Sequence, residues 1–158
     1  MENNHLLFGK LTCDEYDGYR GKIPVSFSGN EEEVELIISE IFGDGGIEEG
    51  HREAYDMLSK NWEDVVQEVV QSVLIYQNEI WDSTDHTQRF PKFQTENDVL
   101  KNIELISITL EAKAPDFRGQ QGRYAVMVFN AEWVNDDYHL LSVALINEKV
   151  VEISDQAI

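Results

Sequence analysis

The sequence predicts an α+β domain, with a largely antiparallel sheet and two or three helices packed on one of its faces. Three observations carry that prediction. Apolar residues alternate with polar ones towards both ends of the chain, they follow helical spacing through the middle, and hairpin-length turns separate the later alternating runs. A length of 158 residues suits one domain spanning 1–158, and a hydrophobic share of 42% supplies a core in spite of the charge.

Taken in order, residues 5–12 read as a first strand, followed by a turn-rich stretch from Asp14 to Gly18. Residues 22–27 alternate, with Ile23, Val25 and Phe27 on one side. Ser28, Gly29 and Asn30 supply turn chemistry, and 34–38 returns as the second strand of a hairpin. Pro24 has no backbone donor, which places this strand at an edge or turns the missing donor outward. After the break at 43–46, apolar residues from Tyr55 to Trp81 recur at intervals of three and four, the stripe of a buried helix face. Asn61, with Asp64 three residues on, marks a point where two helices meet. A loop over 82–93 leads to Thr95 and Asp98, a capping pair for a short helix over 96–102. The last third is strand-like: 105–110, then 123–133 with Tyr124, Val126 and Val128 opposed to Ala125, Met127 and Phe129. Strands over 139–146 and 149–153 follow, joined by a tight turn at Asn147-Glu148.

Charge is the dominant feature. Acids number 31 against 12 bases, a net charge of −19, and residues 1–91 hold 20 of the acids but only 6 of the bases. Such a field repels nucleic-acid phosphates and anionic lipid, so neither is expected as a partner, and it speeds encounter with basic proteins. No apolar stretch is long enough for a membrane span. Residues 1–5 have neither the basic nor the apolar part of a signal peptide, and the single Cys13 cannot form an intrachain disulfide. The expectation is a cytoplasmic protein.

No catalytic or metal site is recognisable, and no cofactor is expected. His5, His51, His86 and His139 are isolated, without a second ligand at metal spacing. Asp14, Glu15, Asp17 and Gly18 miss the calcium-loop spacing. Acids beside Cys13 raise its thiol pKa rather than activating it. The glycines at 43–46 lack a following Lys-Ser/Thr, and those at 119 and 122 read as a flexible connection.

The acids at 31–33 suit a solvated turn, and Asp44, Glu48 and Glu49 suit the positive end of a helix dipole. Glu63, Asp64 and Glu68 instead suggest one acidic helix face, which Asp82 and Asp85 extend into the loop. Tyr16 and Tyr19 are nearby aromatics able to anchor a basic surface that the acids steer. Trp62, Trp81 and Trp133 read as core residues.

Trp133, the run from Leu140 to Leu145, Asn147-Glu148-Lys149-Val150 and Gln156-Ala157-Ile158 resemble the ending of a small bacterial family of unknown function, and Phe8-Gly9-Lys10-Leu11 resembles its opening strand. Some proteins of this kind resemble immunity proteins of polymorphic or contact-dependent toxin systems. The resemblance implies an acidic α+β fold and no site residues. The leading expectation is an immunity protein that covers the active site of a basic toxin domain, for instance a nuclease. The alternatives are a general interaction domain, or a small-ligand binder or hydrolase with a carboxylate pocket. Monomer and dimer are both open.

Overall fold

The structure, a computed structural model, describes residues 2–5, 9–14, 18–39, 49–83, 90–111, 122–134 and 138–155. Four strands come first: β1 (Glu2–His5), β2 (Gly9–Asp14), β3 (Gly18–Ser26) and β4 (Glu31–Ile38). Three helices follow: α1 (Glu49–Lys60), α2 (Trp62–Ser83) and α3 (Glu96–Asn102). The chain closes with β5 (Glu104–Glu111), β6 (Tyr124–Asn130), β7 (Leu140–Ile146) and β8 (Lys149–Ser154). The strands lie side by side in sequence order. Every neighbouring pair is antiparallel except β4 and β5, which run parallel. That exception follows from connectivity: a parallel pair needs a long crossover, and the three helices between β4 and β5 provide it.

The α+β fold is the one the sequence predicts. One element differs at the N-terminus, where the single strand expected over 5–12 is replaced by the antiparallel pair of β1 and β2. Residues 6–8 lie outside the described residues, and in sequence Leu6-Leu7-Phe8 has no Gly, Asn, Asp or Pro to interrupt the strand pattern. Around Pro24 the edge reading has a basis: β2 pairs with β3 only as far as Arg20, so among the described residues Pro24 has a ladder partner on the β4 side alone.

The core lies between the sheet and the helices. Leu36 and Ile38 of β4, Ile108 and Leu110 of β5, Met127 and Phe129 of β6, and Leu141, Val143 and Leu145 of β7 all point to the helical side. There they meet Ala54 and Leu58 of α1, Val65, Val69, Val70 and Val73 of α2, and Val99 of α3. On the other side of the sheet Tyr124, Val126, Ala144 and Ile146 form a second, smaller buried cluster. A bulge in β5 between Leu105 and Ser107 sets Ile106 out of the ladder, where it is exposed.

Local chemistry fixes the junctions. Asn61 joins α1 to α2 at the N-cap position expected of it: its carbonyl accepts the Val65 N–H at 2.9 Å and so opens α2. Its side chain, however, donates back to the Met57 carbonyl at the end of α1 rather than capping α2. Thr95 and Asp98 form the reciprocal capping box of α3, each side chain accepting the other residue's backbone N–H. The β7–β8 turn places Asn147 and Glu148 at φ 49° and 63°, as a two-residue hairpin of this type demands. Glu148 is held there by Arg123, whose guanidinium makes two hydrogen bonds to the carboxylate at 2.8 and 3.0 Å. Gly122 does not read as a flexible link here. A Cβ would come within 2.5 Å of the Asn147 side chain, whose Oδ1 accepts the Arg123 N–H. Glycines 43, 45, 46 and 119, and the turn expected at 135–137, lie outside the described residues.

Candidate functional site

Beside β3 the helices leave an opening at the elbow between α1 and α2. An apolar cleft of about 230 Å³ lies there. Leu36 and Ile108, register partners across the parallel β4–β5 pair, form its floor. Residues 23–26 of β3 make one wall, and Tyr55, Leu58, Ser59 and Trp62 make the other. Trp62 is fixed across one end: its indole Nε1 donates to the Ser26 carbonyl at 2.7 Å, and its ring meets the edge of Phe27. Phe27 is in turn packed against Phe129 in the core. The aromatic wall is therefore anchored at two points, while Ile23 and Val25 remain only half-buried.

The elements that form this opening carry exposed carboxylates, none of which is among its described lining residues. Glu32 is the register partner of Val25, so strand alternation sets it on the same side of the sheet as the cleft wall. Glu63 and Asp64 follow Trp62 in the first turn of α2, where the helix dipole favours negative charge. Asp56 lies one turn before Ser59 in α1. All four acids are exposed, as is the nearest base on this elbow, Lys60. Among the described residues no cation pairs with Glu32, Glu63 or Asp64.

The residues singled out from sequence do not gather into one patch. Glu63 and Asp64 are at the surface, but Glu68 is half-buried and accepts the Val150 backbone N–H of β8 at 3.3 Å. It also projects about 140° away from Glu63 but only about 40° from Asp64 around the helix axis, so Asp64 and Glu68 share a face and Glu63 stands apart from it. Asp82 is at the far end of α2, about 28 Å from Glu63 along the axis, and is paired with Lys92 at 2.8 Å. Tyr19, proposed as a surface anchor, is buried in the core instead: strand alternation turns it to the helical side with Ile23 and Val25. Tyr16 and Asp85 lie outside the described residues. What sequence reading missed is the cleft and Glu32. Two signals pointed to the place, the break at Asn61 and the edge character of Pro24. They could not be joined, because Ser26 and Trp62 are 36 positions apart.

Trp133, Trp81, His51 and His139 have structural partners. Trp133 is buried, with Nε1 donating to the Asn102 carbonyl, and Trp81 lies half-buried under the Lys92 ammonium. His51 is buried with Nε2 at 2.9 Å from the Ser39 carbonyl, an acceptor, so Nε2 carries the proton. On the opposite side of the sheet, burial together with the charges of Glu111 and Glu152 pushes the Tyr124 phenol up to about 12. Burial also raises the Glu111 carboxyl above its ordinary value. A second, polar hollow of about 250 Å³ is lined by Lys101, Asn102, Ile103, Glu104, Asn130 and Glu132, where α3 ends and β5 begins. Among the described residues no group of three or more His, Cys, Asp or Glu is placed to hold a metal ion, and no helix is long and apolar enough to cross a membrane.

An acidic α+β domain with a mostly antiparallel eight-stranded sheet, helices on one side and an open apolar cleft at their elbow is thus the class that the fold defines. Over residues 7–158 the chain matches, and belongs to, the family described as a domain of unknown function, DUF6985. No curated protein and no solved structure matches it.

Proposed function

We propose that the protein binds a basic protein partner, and that it is an immunity protein of the bacterial cytoplasm which neutralises a basic toxin domain, such as a nuclease, by covering its active site. The observation that carries this reading is the pairing of exposed, cation-free carboxylates with an open apolar cleft at the α1–α2 elbow, in a chain of net charge −19. A surface of this sign competes well for a site built to hold phosphate, and it accelerates encounter with a basic partner. The test is capture of the basic domain encoded beside this gene, followed by assay of that domain's activity. The expected result is capture that weakens as salt rises, with loss of the partner's activity. No capture at low salt rejects the reading. Capture without any toxic activity to inhibit favours a general interaction domain.

A second reading rests on the polar hollow, where Glu104 and Glu132 are available to a small cationic ligand. Titration with spermidine, followed by amide chemical shifts around Asn102 and Asn130, separates it from the first.

A further inference from the structure

We infer that the cleft at the α1–α2 elbow is the anchor site for the partner. It takes one large apolar side chain from a basic segment, while lysines or arginines flanking that side chain meet Glu32, Asp56 and Glu63 at the rim. This rests on the reading of the protein as a binder of basic partners, and it names the chemistry that the site selects.

Volume sets the size of the occupant. About 230 Å³ exceeds the roughly 150 Å³ that holds a benzene ring in an apolar protein cavity, so one aromatic or large aliphatic side chain fits. Polarity sets its character. The floor is Leu36 and Ile108, the walls are largely aliphatic and aromatic, and among the described residues no charged side chain lines the cleft. A cation placed inside would lose its hydration without a counter-charge, a cost that an uncharged apolar side chain avoids. Charge sets the flanks. Among the described residues of β3, β4, α1 and α2 the exposed carboxylates, with Glu32, Asp56 and Glu63 nearest the lining in register or sequence, outnumber the exposed bases Lys22, Arg52 and Lys60, so cations are favoured there, close to water. An apolar anchor within a charged, solvated rim is the arrangement that concentrates binding energy at protein interfaces.

The test uses the full chain and four synthetic peptides of about ten residues, in a two-by-two design: a central Phe or Ala, flanked by lysines or by glutamates. The Phe-centred, lysine-flanked peptide is expected to bind, and its affinity to fall about tenfold or more when Phe is replaced by Ala. Glutamate flanks should abolish binding, and added salt should weaken it. Ser59→Trp, which fills the cleft from its exposed rim, should remove the advantage of Phe over Ala without changing the melting temperature greatly. If that variant folds poorly, Ser59→Lys serves instead, adding a cation at the mouth that should weaken lysine-flanked peptides. Lysine-flanked peptides that bind equally with Phe or Ala would overturn the anchor site while leaving the basic-partner reading intact. Phe-centred peptides that bind equally with either flank would overturn both, leaving an apolar site alone. Absence of binding by all four would overturn the anchor site.

Discussion

At the C-terminal end of α2, polar side chains are engaged with the segment at 90–93. Gln77 donates to the Pro91 carbonyl at 3.0 Å and accepts the Phe93 N–H at 2.9 Å, Asn78 donates to the Phe93 carbonyl, and Asp82 holds Lys92. At the N-terminal end, 28 Å away by the rise of about 1.5 Å per residue, Glu63 and Asp64 follow the cleft-lining Trp62, and among the described residues no cation pairs with them. The same helix thus spends its polar groups on the fold at one end and leaves them available at the other. On the proposed reading, acidity alone does not mark the binding surface; acidity without internal partners, next to open apolar area, does.

The largest expected break in this comparison is Gln77→Leu. It leaves the buried Phe93 N–H without a partner and releases the carbonyl of the exposed Pro91, at about 2 kcal/mol in total. For a domain of this length the melting temperature should fall by roughly 6 °C, while binding at the other end of the helix persists. Thermal unfolding followed by circular dichroism measures the first, and peptide titration the second.

Tyr124, on the opposite side of the sheet, supplies a setting in which acids are committed to a buried neighbour. Its folded pKa of about 12 lies above the ordinary tyrosine value of about 10. The unfolded chain therefore releases this proton first as pH rises. Its stabilising contribution is complete below about pH 10 and is lost as pH climbs towards about 12. Denaturant unfolding across that range should show the fall. Glu111→Gln, which removes one of the two charges acting on Tyr124, should make it smaller and also relieve a buried carboxylate at neutral pH.

Thr95→Ala should cost about 1 kcal/mol through loss of the α3 cap, read as faster amide exchange at Val99 and Leu100. The same box should loosen in acid. The backbone N–H groups of Gln94 and Thr95 hold the Asp98 carboxyl below its usual range, so its contribution is present above the ordinary carboxylate pKa and fades as pH falls through the lowered value. The smallest effect on stability belongs to Asp82→Ala, about 0.5 kcal/mol for an exposed ion pair.

Much of the fold is written in local patterns. Alternation gave the two faces of β6, the Thr95/Asp98 spacing gave α3 with its bounds, and Asn147-Glu148 gave the last hairpin. The elbow at Asn61 was legible as a break, although the side chain's actual use, capping α1, depends on a carbonyl that sequence does not point to. The site was less legible because it is made by long-range packing. Helical periodicity on its own cannot say that Glu68 meets the edge of β8, or that β3 is left partly uncovered beside Trp62. Tyr19 lies near acids in sequence and within the core in space, for the same reason.

The most direct measurement of the central claim compares charge reversal at the two ends of α2. Association of the Phe-centred, lysine-flanked peptide would be followed at low salt with Glu63→Lys/Asp64→Lys and, separately, with Asp82→Lys. The first should slow association by about tenfold or more, as a reversed steering field does, and the second should leave it within about twofold. Equal slowing by both, or a larger effect from Asp82→Lys, would contradict the account and return the binding role to the acidity of the whole surface.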